Sequence, residues 1–192
     1  MLRRAAAWVL TVLIGVVIGA ASLWATLEIG GSSFGAHFGL WSHNRAAGST
    51  AAGPYTRAII ARDGLLALSA REALYFNLDR DAGGRPLDES CVYELRGAPL
   101  AARWWSVTLY GDDGFLVDNG DNAYSVDASR IGAGTWSIRI APVQGSAPYW
   151  LSSRGAGRGF ALTLRVYNPQ DDFRPSAESL PVLSQVSCAE AH

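Results

Sequence analysis

The chain has 192 residues, 49% of them hydrophobic, with 16 basic and 17 acidic side chains and a formal net charge of −1. Every basic residue is an arginine, which excludes Schiff-base lysine chemistry and the phosphate-gripping lysine of a P-loop. The evenly mixed, near-neutral charge gives no electrostatic reason to bind nucleic acid.

From Ala5 to Leu27 the chain is one uncharged apolar run, preceded by Arg3 and Arg4. As an α-helix it would reach roughly 35 Å, enough to cross a hydrocarbon core of about 30 Å. A secretory signal has a shorter apolar core and a small-x-small cleavage site. This run instead ends in the bulky Leu23-Trp24-Ala25-Thr26-Leu27, and Ala20-Ala21-Ser22 is its one passable cleavage region. Trp8 and Trp24 sit near its two ends, where indoles prefer the headgroup layer, and the arginines before it orient the N-terminus toward the cytoplasm. The expectation is an uncleaved single-pass anchor in the inner (cytoplasmic) membrane. Residues 1–4 would lie in the cytoplasm, 5–27 in the lipid bilayer and the rest in the periplasm. Gly15 and Gly19 form a GxxxG pair that would permit a homodimer, although ordinary lipid-facing glycines explain it more simply.

Residues 28–53 are rich in Gly, Ser and Ala and read as a tether. Phe34, Phe38 and Trp41 interrupt it and leave two readings open, contact with the membrane surface or with the domain. Gly31-Ser32-Ser33-Phe34-Gly35 fits GxSxG, but a nucleophile elbow needs a strand before it and a helix after it. His37, His43 and His192 lack metal-site spacing and read as solvent-exposed. Gly53-Pro54 opens a helix, since proline suits the first turn, and Asp63-Gly64 marks its weak point or end.

The periodicity then changes to strict alternation. Cys91, Tyr93 and Leu95 share one side of a strand; Trp105, Val107 and Leu109 share another; Trp136, Ile138 and Ile140 a third. Phe160, Leu162, Leu164 and Val166 give the clearest case. Turn-forming clusters separate the runs at residues 81–84, 111–114, 118–121 and 155–157. The pattern predicts a mainly β domain over residues 54–192, about 140 residues and so one domain rather than two. Its expected form is an antiparallel β-sandwich or jelly roll with one N-terminal helix packed on it, preceded by the single transmembrane helix.

Cys91 and Cys188 are the two cysteines. With no CxxC to suggest a redox or zinc site, a pair so far apart in an exported domain is expected to form a disulfide. Cys91 is on the core-facing phase of its strand, and Cys188 continues the phase of Val182, Ser184 and Val186. Asp112-Asp113 and Asp118…Asp121 lack the spaced ligands of a calcium loop and are better explained as turns. Asp88 and Glu89 would point to opposite faces of a strand. No metal or cofactor is expected.

The residues out of phase with the core form the most informative set. Trp104, Ser106, Thr108 and Tyr110 share the outer side of one strand. Ser137 and Arg139 do so on a second, and Thr163, Arg165 and Tyr167 on a third. Were these strands neighbours, their face would combine aromatic platforms, hydroxyls and guanidinium groups, which suit sugars and carboxylate or phosphate groups. Trp104, Tyr110, Arg139, Arg165 and Tyr167 are therefore the candidate ligand-binding residues. The plainer alternative is a solvated sheet face, with Trp104 packed under the N-terminal helix and Arg165 either paired with an acid to lock the sandwich or bonded to backbone carbonyls.

Three ordered segments carry a resemblance: PYTRAIIARDGLLALSAREALYF, WWSVTLYGDDGFLVDNGDNAYSV and YWLSSRGAGRGFALTLRVYNP. Trp105-Ser106-Val107-Thr108 with Tyr110, then Asn119, Tyr124 and Ser125, then Trp150-Leu151 and Arg165-x-Tyr167-x-Pro169 resemble the motifs of the bacterial domain-of-unknown-function family numbered 1214. The likeness runs from about Gly39 to the C-terminus, and it implies a β-rich sandwich but no reaction. That family usually follows a companion domain numbered 1254; here a membrane anchor stands in its place. It also usually has Asn before the Trp-Leu pair and Pro after it, where this chain has Tyr149 and Ser152. The leading functional expectation is a membrane-tethered periplasmic module that binds a sugar or other polar ligand without catalysis. The alternatives are an envelope hydrolase or lyase acting on carbohydrate or a small polar substrate, and a structural subunit that docks a protein.

Overall fold

The computed structural model describes residues 2–33, 35–43, 52–62 and 68–189. Phe34, the Asp63-Gly64 break and His192 lie outside them. The element order is α1 (Leu2–Ser33), β1 (Ala36–Phe38), β2 (Trp41–His43), α2 (Pro54–Arg62), β3 (Ala73–Leu78), β4 (Leu87–Asp88), β5 (Cys91–Gly97) and β6 (Ala102–Tyr110). It continues with β7 (Ser125–Asp127), α3 (Ala128–Ile131), β8 (Trp136–Ala141), β9 (Trp150–Ser152), β10 (Arg158–Pro169) and β11 (Val182–Cys188). Within α1, Arg4–Ala25 has no buried residue and has the length and hydropathy of a membrane span or a signal sequence.

Two sheets make the sandwich. The first runs β1-β2-β3-β10-β6-β7 with β4 also paired to β10, and the second runs β11-β5-β8-β9. All pairs are antiparallel except β8–β9, which is parallel. The alternating apolar residues meet between the sheets. Phe76, Leu78, Val107, Leu162, Leu164 and Val166 line the first inner face, and Tyr93, Leu95, Ile138, Ile140 and Leu151 the second; all are buried. Aromatic pairs join the layers, with Trp105 stacked on Trp136 at 4.6 Å and Tyr93 edge-on to Phe160 at 6.2 Å between centroids. β10 is the spine, because its 12 residues pair with three strands. A bulge between Arg158 and Phe160 lets it turn from β6 and β3 toward β4. Gly159 takes the φ of 93° that this bulge requires, a conformation an L side chain would strain.

The tether reading does not hold for residues 36–43. These form the β1–β2 hairpin, which joins the first sheet where Ser42 pairs with Asn77. Trp41 is 2% exposed and its Nε1 donates to the Pro181 carbonyl at 2.6 Å. Phe38 lies edge-on to Phe76 at 6.1 Å. These two aromatics therefore belong to the domain, and the small residues around them hid that from composition. His43 is likewise no freely solvated histidine, since its Nδ1 is 2.8 Å from the Tyr75 carbonyl and its ring packs on Phe76. Residues 73–78, not anticipated as a strand, form β3.

The Cys91–Cys188 disulfide is present, but by a different route from the expected phase. Leu183 is the buried residue of β11, while Val182 is exposed, so the Val182-Ser184 phase faces outward. A register shift between Gln185 and Ser187 then rotates the strand by one residue and sets Cys188 opposite Cys91.

Asp81 organises the turn between β3 and β4. It is 5% exposed, and its Oδ1 accepts from the N–H groups of Gly83 (2.8 Å) and Arg85 (2.9 Å) while Oδ2 meets the Arg85 guanidinium at 2.8 Å. Arg85 continues to Gln185 of β11 at 2.7 Å, tying the turn to the second sheet. Burial pushes the Asp81 pKa up. The hydrogen bonds from Arg85 and Gly83 and the Arg85 charge outweigh it, leaving the carboxyl below its ordinary range. A carboxylate depressed in this way adds stability above its unfolded pKa of about 3.9, lost as pH falls through the folded value. Stability is therefore expected to be intact at neutral pH and to decline in acid, with Asp81→Asn flattening that decline. Parallel melting-temperature profiles for wild type and Asp81→Asn between about pH 5 and pH 2 would remove Asp81 from the acid response.

Candidate ligand-binding face

The outer face of the first sheet is built in rows that the strand registers define. One row crosses five strands as Ser42, Asn77, Thr163, Thr108 and Ser125. The next is Tyr75, Arg165, Ser106 and Asp127, and the third is Ala73, Tyr167 and Trp104. Same-face residues along a strand are about 7 Å apart, so the rows are stacked within side-chain reach of one another.

Four of the five candidate residues come together here. Trp104 and Tyr167 are direct cross-strand partners with ring centroids 5.4 Å apart. The Trp104 Nε1 donates to Ser129 Oγ at 3.0 Å, in the short helix α3 that Asp127 caps through the amides of Ser129 and Arg130. That bond fixes the indole against α3. Arg165 bonds to side chains rather than carbonyls. It reaches along the sheet to donate to Thr108 Oγ1 at 3.3 Å and to the Tyr110 hydroxyl at 2.7 Å, with its guanidinium carbon 5.2 Å from the Tyr110 ring centroid. The hydroxyl floor beneath is packed closely, with Ser106, Thr108 and Thr163 all buried, and Thr163 Oγ1 donating to Asn77 Oδ1 at 2.8 Å.

Arg139 is not part of this face. It stands on β8 in the second sheet, where it pairs in register with Glu94 and donates from Nε to the Val143 carbonyl at 3.3 Å. It lines a separate open cleft of about 560 Å³ with Glu94, Ser137, Trp136 and Tyr149. Hydrogen bonds from Arg96 and Ser137 hold the Glu94 carboxyl below its ordinary range. The two arginines therefore sit in opposite electrostatic settings. Arg139 has an ionised carboxylate beside it on the next strand. Among the described residues Arg165 has no carboxylate within ion-pairing distance, and the acid in its own row, Asp127, is turned to the α3 cap.

Tyr75 and Asn77 belong to the face and were missed. The alternation of Phe76 and Leu78 would have placed them outward had 73–78 been read as a strand. Burial, then the neighbouring Tyr167, raise the Tyr75 pKa against the opposing effects of a hydrogen bond at Leu68 and of Arg165, so this phenol stays neutral at physiological pH. The carboxylates considered for catalysis are engaged elsewhere. Asp88 meets Arg158 at 3.1 Å and Glu89 accepts from the Gly157 N–H at 2.6 Å, together fastening β4 to the start of β10. Among the described residues no group of three or more His, Cys, Asp or Glu could hold a metal ion.

The family model described as "Protein of unknown function (DUF1214)" matches residues 72–171, just over half of the chain. The chain belongs to the DUF1214 family. The matched segment contains β3 to β10 and every candidate residue, and excludes α1, the β1–β2 hairpin and Cys188. Among solved structures, the VPA0106 protein from Vibrio parahaemolyticus aligns with a TM-score of 0.56 at 26% identity, over 70% of this chain and 36% of that one. An uncharacterized protein from Burkholderia cenocepacia aligns at 0.43 and 16% identity, over 59% of this chain and 30% of that one. This DUF1214 chain thus spans about a third of the length of each. No curated protein matches it.

Proposed function

We propose that this DUF1214 protein is a membrane-tethered periplasmic module that binds a sugar or another small polar ligand on the outer face of its first sheet. One observation carries the reading. A half-buried arginine held by Tyr110, and beside it the Trp104–Tyr167 pair, stand on one sheet face over a buried hydroxyl floor, and among the described residues no carboxylate is set against the arginine. A sheet face that only meets water gains little from a tryptophan, whereas aromatic planes beside fixed hydrogen-bonding groups suit sugars. The location part of the proposal rests on the uncharged run 5–27 behind Arg3 and Arg4. A disulfide fits an oxidising compartment.

The test is thermal unfolding of the full chain in a polyoxyethylene detergent, whose headgroup cannot compete as a sugar would, against a panel of neutral and charged sugars and small polar metabolites. At least one compound is expected to raise the melting temperature, and Arg165→Ala is expected to abolish that rise while shifting the free protein by only a few degrees. A panel with no stabilising compound, or an Arg165→Ala protein that simply fails to fold, would favour a purely architectural role for the cluster.

A further inference from the structure

We infer that the group recognised at this face is a monoanionic carboxylate, carried on a sugar ring as in a uronic acid, and that Arg165 is its receptor. The inference deepens the binding role proposed above and rests on it.

The charge balance around Arg165 is the starting point. Its guanidinium is half-buried on β10, a central strand of the sheet. Two of its five N–H groups are engaged, by the neutral hydroxyls of Thr108 and Tyr110. Phenols and alcohols orient a guanidinium without cancelling its charge. Elsewhere in the described domain Arg85, Arg96, Arg154 and Arg158 each meet a carboxylate, Arg139 has Glu94 in register, and the exposed Arg80, Arg130 and Arg174 donate to backbone carbonyls. Arg165 is thus a cation held in place by neutral groups, with donors left for a further acceptor. A partly desolvated cation attracts an anion more strongly than one in open water.

Two features narrow the class of anion. The guanidinium fork matches a planar carboxylate with two parallel hydrogen bonds. A phosphate monoester carries about −1.5 to −2 at neutral pH, which one guanidinium among neutral tyrosines leaves uncompensated. The second feature is the aromatic surface beside the guanidinium, the Tyr110 ring, whose centroid is 5.2 Å from it and whose hydroxyl accepts from it. A sugar ring carrying the carboxylate can lie along that phenol. The Trp104–Tyr167 pair stands on the other side of the Arg165 row, two rows or about 14 Å from Thr108, a distance that suits a further sugar unit rather than the same ring.

The experiment is isothermal titration calorimetry on the full chain in polyoxyethylene detergent, with D-glucuronate and D-galacturonate as probes. Glucuronamide, glucose and glucose 6-phosphate are the comparisons. At least one uronate is expected to bind about tenfold or more tightly than the amide and the neutral sugar. Arg165→Lys, which keeps the charge and loses the fork, is expected to weaken the uronate severalfold and to leave any residual glucose binding unchanged. Should Arg165→Lys fail to fold, the comparison of acid with amide on the wild-type protein decides the matter alone. Equal binding of acid, amide and glucose would overturn the anion inference while leaving a sugar-binding face. Tighter binding of glucose 6-phosphate would overturn the carboxylate. Binding of neither uronate would overturn the inference outright, and the wider ligand panel would then decide separately whether the face binds anything.

Discussion

Replacing Cys91 and Cys188 together by alanine is expected to destabilise the domain by about 2–4 kcal/mol and to lower its melting temperature by roughly 10 °C. The bond closes a loop of sequence separation 97, for which the chain-entropy model allows up to about 4.7 kcal/mol before strain and residual unfolded structure reduce it. The large expectation also follows from what else holds β11. It is an edge strand whose one neighbour in the sheet is β5, and only Leu183 among its side chains is buried. Backbone pairing, one leucine and the exposed hydrogen bonds of Ser184 and Gln185 are a weak hold on seven residues. Thermal unfolding followed by near-ultraviolet circular dichroism, with and without reductant, measures the effect. A reduced protein melting within about 2 °C of the oxidised one would show that the cross-link contributes little.

Gly97→Ala is expected to cost about 2–3 kcal/mol, although replacing a strand glycine by alanine ordinarily stabilises by roughly 0.5–1 kcal/mol. Gly97 stands directly opposite Trp136 in register. A Cβ there would fall 2.5 Å from the indole Cε2 and 2.6 Å from Cη2. The indole is held where it is, although one side of it borders the open cleft of the second sheet. It is 5% exposed, stacks on Trp105 and donates from Nε1 to the Ala98 carbonyl at 3.1 Å. The missing side chain of Gly97 is thus the space that Trp136 occupies. Chemical denaturation reads the loss directly, and Trp136→Phe combined with Gly97→Ala should recover part of it. A Gly97→Ala protein as stable as wild type would mean the indole can shift, and the packing argument would fail.

What the sequence made legible was phase. Trp105, Val107, Leu109, Ile138, Ile140 and Leu164 announce by alternation which way they point, and all of them meet in one core. Alternation says nothing about neighbours, however, because each strand reports only its own two faces. That is why Arg139 shared an expected face with Arg165 and yet stands on the opposite sheet. The same limit governed Cys188, where a register shift overturned the phase but kept the partner. Composition misled over residues 28–53, where Gly, Ser and Ala dominate by count while Trp41 and Phe38 tie the 36–43 hairpin to the core. Within the candidate face, Trp104, Tyr110, Arg165 and Tyr167 were visible from period alone. The engagement of Thr108 and Ser129 depends on register and on a four-residue helix, which period does not encode.

The β1–β2 hairpin has a consequence for reach. A flexible leash of 26 residues, such as 28–53 suggested, would let a domain wander roughly 28 Å from its attachment point. Because β1 starts at Ala36 and α1 runs to Ser33, only two residues separate the apolar helix from the sheet. With α1 seated in a bilayer as proposed, the helical stub beyond Ala25 adds about 12 Å of rise, and the chain from Ser33 to Ala36 can span at most about 10 Å. The domain would then work as a fixture at the lipid surface, sampling a thin layer rather than a volume. A dissolved sugar reaches that layer at its bulk concentration, whereas a polymer would be within reach only where it passes close to the lipid.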